Sequence, residues 1–211
     1  MEDDDPLASV LPSLVDGLRA SDDYEKVECL YQLAQIVDSA YGDEAISVCA
    51  FLREHRGIEN IVELVKHSDE WLHQTALLVL GNLATDAVDP RADETRAQLK
   101  ATGGFESLLQ HLFSTNTLTV TYALGAIRNT CAEPDYVLLM QQKGVVRRLQ
   151  VLITPHATPL HALPRNIPPH DISPHDTYIS PHDTTQRLSS PRHAIAMLRR
   201  RHCRRRRHNL S

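Results

Sequence analysis

The sequence predicts an all-α protein in which about three and a half stacked helical repeats form an α-solenoid, followed by a disordered tail. The helix that opens at Gly57 recurs 47 residues later at Gly104. The segment 77–84, Leu-Leu-Val-Leu-Gly-Asn-Leu-Ala, resembles the segment 124–131, which lies at the same interval of 47 residues. A period of this length is typical of helical units that bury their apolar faces only by stacking on neighbours.

The first helix is predicted over residues 6–20. It has the apolar spacing i, i+3, i+4, i+7, which gives a helix one packing face. The residues of this face are Leu11, Leu14, Val15 and Leu18. Pro6 and Pro12 fit a first turn better than a helix interior, because proline has no amide hydrogen to donate.

The second helix is predicted over residues 21–40. Ser21 or Asp22 is the expected N-cap, because either side chain can accept hydrogen bonds from the first turn. Gly42 then interrupts the chain, and Asp43 is expected to cap a shorter helix.

Each later copy contains a short helix, a glycine, a middle helix and a long helix, in that order. The short helices are predicted at 43–54, 92–101 and 135–142. The middle helices are predicted after Gly57, after Gly104 and over 145–153. The long helices are predicted at 70–84 and 117–131. Equivalent long-helix positions are apolar, as in the columns Leu30/Leu77/Leu124 and Leu33/Leu80/Ile127. We predict that these columns face the core. In the last copy an interval of 40 aligns Val145 with Phe105 and Leu149 with Leu109.

Two segments carry a resemblance to a known family. The order of elements, the run Ala-Thr-Gly-Gly-Phe-Glu-Ser-Leu-Leu-Gln-His-Leu at 101–112 and Leu-Gly-Asn-Leu-Ala at 80–84 resemble the armadillo repeat. The resemblance covers residues 7–153. It implies a right-handed superhelix whose long helices line a concave groove, and a non-catalytic role in binding an extended peptide or protein partner. Two-helix repeat families of similar length are the alternative, but the glycine and the short third helix favour armadillo.

The long helices carry a candidate binding surface, which we call the ladder. It consists of Tyr24, Glu28, Tyr31 and Gln35, then Trp71, Thr75, Leu78 and Asn82, then Leu118, Tyr122, Gly125 and Asn129. By resemblance, Asn82 and Asn129 fall where armadillo amides pair with a bound peptide backbone, and Gln35 is a looser match. An amide suits that role because it both donates and accepts. The alternative is that these side chains only tie helix ends or loops together.

A second possible function is that of a nuclear-import adaptor like importin-α. That subclass has a tryptophan four residues before the asparagine, where this chain has Tyr31, Leu78 and Gly125. The difference counts against specific recognition of basic import signals. Trp71 lies eleven residues before Asn82. We expect it to be either an aromatic residue of the groove or a residue that packs between repeats.

Charge divides the chain into two parts. Residues 1–153 contain 12 Lys and Arg against 24 Asp and Glu, and residues 154–211 contain ten Arg against three Asp. The acidic body argues against nucleic-acid binding by the solenoid and allows cationic partners. No apolar run approaches the roughly 18 residues of a membrane span.

Chemistry-bearing motifs are scarce. The chain has no glycine-rich phosphate loop and no Ser/His/Asp or Cys/His set in a recognisable context, so we predict no enzyme, no catalytic residue and no cofactor. The cysteines at 29, 49, 131 and 203 form no C-x-x-C pair and are expected to be free thiols. Free thiols indicate a reducing compartment, which places the protein in the cytoplasm, the nucleus or both.

The predicted tail, residues 154–211, is rich in Pro, His, Ser and Thr. Its prolines at 155, 159, 164, 168, 169, 174, 181 and 191 are incompatible with a long helix before residue 192. Its histidines lack the preorganised geometry of a metal site, so we predict no bound metal. A basic cluster comprises Arg199, Arg200, Arg201, Arg204, Arg205, Arg206 and Arg207. It could act as a nuclear localisation signal, or bind nucleic acid or acidic membranes non-specifically.

The change of composition after Ile153 suggests another hypothesis. The last middle helix, 145–153, precedes proline-rich sequence where a long helix is expected. A solenoid needs a polar terminal cap. The chain could therefore be a truncated or mis-spliced product of a longer armadillo gene, which transcript reads across the Ile153 and Thr154 codons would test.

Overall fold

The computed structural model describes residues 6–131 and 134–153, and within these ranges the secondary structure is entirely helical. The helices are α1 Pro6–Gly17, α2 Asp23–Ser39, α3 Asp43–Glu54, α4 Gly57–Val65, α5 Glu70–Leu83, α6 Ala92–Ala101, α7 Gly104–His111, α8 Thr117–Thr130, α9 Pro134–Gln142 and α10 Val145–Ile153. The prediction of an all-α solenoid is confirmed, with nearly all bounds within two residues. The predictions for residues 154–211, including the basic cluster, lie outside the described ranges.

The helices form stacked layers in chain order. The long helices pack in the sequence α2, α5, α8, so that each touches the one before it. The middle helices α4 and α7 pack on each other and on the long helices that follow them, while the short helices α3 and α6 also pair. Each repeat therefore contacts mainly its neighbours, as expected for a quasi-one-dimensional stack.

The predicted apolar columns form the core, except that Leu124 is only partly buried and packs against it. Leu33 and Leu80 are fully buried, and Ile127 is 4% exposed. Gly81 lies where α5 meets α8, and a Cβ built there would stand 3.2 Å from the Cα of Ala126. The missing side chain is therefore what lets two long helices approach closely.

The long helices begin with matching caps. Asp22 accepts a hydrogen bond from the Tyr24 amide at 3.1 Å, and Asp69 and Asn116 cap α5 and α8 in the same way. The prediction for Asp43 is wrong: Gly42, at φ 56°, occupies the N-cap of α3, and Asp43 is its first helical residue. There the carboxylate still opposes the positive end of the helix dipole.

The predicted place of Pro12 in a first turn is also wrong, because it lies inside α1. The burial of the apolar residues on both sides of it, Leu11 and Leu14, offsets the amide hydrogen bond that proline cannot make.

A left-handed residue precedes each of three middle helices. Arg56 has φ 62°, Gly103 has φ 68° and Gly144 has φ 70°. These positions are 47 and 41 residues apart, so the last copy is offset by 41 residues and not by the 40 that the apolar pattern indicated. Val145 consequently takes the place that Gly104 holds in the preceding copy.

A buried ion pair holds the loop between α5 and α6. The Arg53 guanidinium of α3 donates to the carboxylate of Asp89 and, at 3.1 Å, to the hydroxyl of Thr95. Asp89 is fully buried and also accepts the backbone amide of Arg91 at 2.9 Å. The loop is thereby attached to the short helices of two successive repeats.

Candidate functional site

The structure brings the three sections of the ladder onto neighbouring helices, because α2, α5 and α8 pack in order. Most ladder side chains are partly exposed, as a binding surface requires. The exceptions are Thr75 and Tyr122, which are 2% and 6% exposed. Ten of the twelve ladder residues are therefore at least partly accessible, and the other two are enclosed.

Asn82 differs in its contacts from the other two ladder amides, Gln35 and Asn129. It lies near the end of α5, it is partly exposed, and its side-chain amide makes no hydrogen bond to any described residue. Both the donor and the acceptor of this amide are therefore available to an outside group.

Asn129 occupies the equivalent position on α8 but is engaged within the stack. Its Nδ2 donates to the carbonyl oxygen of Gly81 at 2.8 Å, and its Oδ1 accepts from the Arg128 guanidinium at 3.3 Å. The close approach at Gly81 brings that carbonyl within reach. Asn129 thus ties α8 to α5, as the alternative prediction for these amides states.

Gln35 and Tyr31 form a pair on α2. The Gln35 amide donates to the Tyr31 hydroxyl at 3.0 Å, across one helical turn. Gln35 is exposed and Tyr31 partly exposed. The amide oxygen of Gln35 makes no hydrogen bond within the described ranges, so this pair offers an acceptor at the start of the ladder.

One ladder column buries hydroxyl groups. The Thr75 hydroxyl and the Tyr122 hydroxyl, 47 residues apart, are enclosed without a hydrogen-bond partner among the described residues. Burial also raises the pKa of Tyr122. Tyr122 is thus almost enclosed and exposes little area to a ligand.

Trp71 and Leu78 are intermediate cases. Both are partly buried and pack against the hydrophobic core, and each leaves part of its side chain at the surface. Trp71 follows the N-cap Asp69, which accepts the Trp71 amide at 3.0 Å and fixes the start of α5. The indole therefore packs partly on the core, and its accessible part belongs to the ladder, where an aromatic plane can contact a ligand.

Polar contacts between repeats were not identified in the sequence. The Gln74 amide donates to the Thr119 hydroxyl at 2.8 Å, and the Asn116 amide donates to Glu70 at 3.1 Å. Their partners are 45 and 46 residues apart, close to the period. A search for complementary polar residues at that interval could have revealed them.

Middle helices are also joined by polar contacts. Asn60 of α4 donates to the Val15 carbonyl at 3.1 Å, His111 of α7 donates to the Val65 carbonyl at 2.8 Å, and Arg148 of α10 donates to the Leu112 carbonyl at 2.8 Å. The accepting carbonyls lie at or near helix C-termini, which lack intrahelical partners. Each repeat therefore satisfies the end of the one before it.

His111 is the titratable group most affected by the stack. Its Nε2 carries the proton that binds the Val65 carbonyl, and its ring lies against that of His73, with centroids 4.7 Å apart. Burial, opposed by the bond to Val65, lowers the pKa of His111, and His73 adds to the lowering. The interface is therefore built for neutral His111.

Other kinds of site find little support in the described ranges. They contain no group of three or more metal-ligating side chains and no helix with the length and apolarity to cross a membrane. Cys29, Cys49 and Cys131 are free thiols, and burial with the neighbouring Asp89 raises the pKa of Cys49 to about 11. A thiol with so high a pKa is a poor nucleophile.

No protein-family model and no curated protein matches the chain, but solved structures do. A designed armadillo repeat protein is 21% identical, with a TM-score of 0.54, over 66% of this chain and 55% of that one. Another, in complex with the peptide (KR)4, is 21% identical, with a TM-score of 0.55, over 67% and 56%. A computationally designed armadillo protein for modular peptide recognition is 22% identical, with a TM-score of 0.58, over 70% and 58%.

These similarities establish an armadillo-type repeat fold, as the resemblance predicted. The chain spans little more than half the length of these proteins.

Proposed function

We propose that this armadillo-type solenoid is a non-catalytic protein-interaction scaffold that binds an extended segment of a partner along the ladder. The observation that carries the proposal is Asn82, whose partly exposed amide has no hydrogen-bond partner among the described residues. A partner in extended conformation presents unpaired N–H and C=O groups, which such an amide can bind together.

Charge favours a partner with basic side chains. Glu28 lies in the ladder, and Asp23, Glu25 and Glu70 begin the long helices α2 and α5. The body as a whole is acidic, so a cationic peptide would be attracted before contact. A structural neighbour bound to (KR)4 supports the same chemistry.

The import-adaptor function is the less favoured one. Its tryptophan positions are Tyr31, Leu78 and Gly125 here, so basic residues would be held by charge without the aromatic slots of that subclass. The free thiols support a cytoplasmic or nuclear location, which remains part of the proposal.

The test is a titration of the full chain with fluorescent (KR)4 and with a neutral extended peptide of equal length. We expect weak binding of (KR)4, because few repeats contribute, and a loss of about fivefold to thirtyfold in affinity for Asn82→Ala, from one hydrogen bond worth about 1–2 kcal/mol. Gln110→Ala, which removes an exposed amide on α7, is the matched control.

Equal affinities for wild type, Asn82→Ala and Gln110→Ala would refute binding at the ladder. Equal affinity for the basic and the neutral peptide would refute the electrostatic part alone.

A further inference from the structure

The final helix pair, α9 and α10, presents an apolar surface that its counterparts bury. Aligned on the left-handed residues, Ile58, Phe105 and Val146 are equivalent, and they are 0%, 0% and 40% exposed. Leu152 on α10 is 38% exposed, whereas Leu64, its equivalent in α4, is 3% exposed. In the earlier copies a long helix follows the middle helix and packs on it, as α5 does on α4 and α8 on α7.

The same surface reverses the charge of the solenoid. Glu59 and Glu106 align with Arg147, which is exposed. Lys143 is exposed beside it, and the residues from 134 to 153 contain three basic side chains against the single acidic Asp135. Asp135 is itself bound to Lys100 at 2.8 Å. The end of the stack is therefore basic and apolar, whereas the rest of the body is acidic.

The chain's own following residues do not match this surface. The prolines between 155 and 191 leave no interval for a helix as long as α5 or α8, which have 14 residues each. The proline-free stretch after residue 191 carries eight arginines, whose charge would be repelled by Lys143 and Arg147.

We propose that Val146, Leu149, Leu152, Lys143 and Arg147 form a docking site for an acidic amphipathic helix of a partner protein. The apolar face of that helix would cover Val146 and its neighbours, in the place that α5 takes on α4. Its flanking carboxylates would pair with Lys143 and Arg147. None of these five residues belongs to the ladder, and the proposal does not depend on the function proposed for the ladder.

The test uses two designed 16-residue helical peptides with the same leucine face, one with glutamates and one with lysines on the opposite face. Binding to the full chain is measured by fluorescence anisotropy at low salt. We expect the glutamate peptide to bind, the lysine peptide to bind at least tenfold more weakly, and affinity for the glutamate peptide to fall with added salt.

Lys143→Glu combined with Arg147→Glu should weaken binding of the glutamate peptide about tenfold or more. Both side chains are exposed, so the melting temperature should stay unchanged. Lys66→Glu is the matched control, since Lys66 lies at the end of α4, in an earlier repeat, and its reversal should not alter affinity.

A second variant, Val146→Asp, should abolish binding of the glutamate peptide while circular dichroism shows an unchanged helix content. The proposal is overturned if the two peptides bind equally, if Lys143→Glu/Arg147→Glu has no effect, or if sedimentation shows that a second copy of the chain covers this face.

Discussion

Removal of the buried charge partner of Arg53 should destabilise the junction of the second and third repeats. The Arg53 side chain is 4% exposed, and in Asp89→Asn its guanidinium would face a neutral amide. The guanidinium keeps its hydrogen bond to the Thr95 hydroxyl, at 3.1 Å, and a longer ion pair to the Glu94 carboxylate, at 3.4 Å. The Glu94 side chain is 43% exposed. Breaking a buried ion pair from one side costs about 3–5 kcal/mol, and the partial neutralisation by Glu94 favours the lower end, about 3 kcal/mol.

The loss would be a large share of the total, since domains of this size are stable by roughly 5–15 kcal/mol. Urea unfolding of wild type, Asp89→Asn, Arg53→Met and the double variant forms a double-mutant cycle. The double variant should lose less free energy of unfolding than the sum of the two single losses, because it leaves no buried charge without a partner. Strict additivity, or a loss below about 1 kcal/mol for Asp89→Asn, would show that this pair is not coupled as the structure implies.

Three further changes test the packing of the repeats. Gly81→Val should lower the free energy of unfolding by about 1–3 kcal/mol, because the valine side chain would overlap Ala126. Thermal unfolding measures this loss, and an unchanged melting temperature would contradict the close approach of α5 and α8. Because the pKa of His111 is lowered in the fold, the unfolded chain binds more protons and stability should fall as pH drops below about 6.5. His111→Gln, which can still donate to Val65, should lessen that fall between pH 7 and pH 5 in urea titrations, and an identical pH profile would refute it. Tyr122→Phe removes an enclosed hydroxyl without a partner and should be neutral or stabilising by up to about 1 kcal/mol in the same assay; a loss above 1 kcal/mol would indicate a hidden partner.

The repeat and its core were predictable because the apolar residues recur at helical spacing within each helix and at a regular interval from one copy to the next. The spacing of apolar residues identified the helices, and the columns through Leu33 and Leu80 are buried as predicted. The N-cap Asp22 was predictable for the same reason, since its partner is two residues away.

Interactions across the stack were less accessible from the sequence. Asn82 and Asn129 look identical in their repeats, yet only Asn129 binds the preceding long helix, because Gly81 lets α8 approach closely. The pairing of Arg53 with Asp89 joins residues 36 apart through a loop with no repeat pattern. The 41-residue offset at Gly144 depends on backbone conformation, which the apolar pattern alone does not fix.

The contacts that close each middle helix have a consequence for how such a stack can change in length. Because Asn60, His111 and Arg148 each donate a hydrogen bond to a carbonyl near the end of the preceding middle helix, that carbonyl loses its side-chain donor when the following unit is absent. A gene duplication or deletion of one whole unit would be tolerated only if the newly adjacent unit brought its own donor to that position.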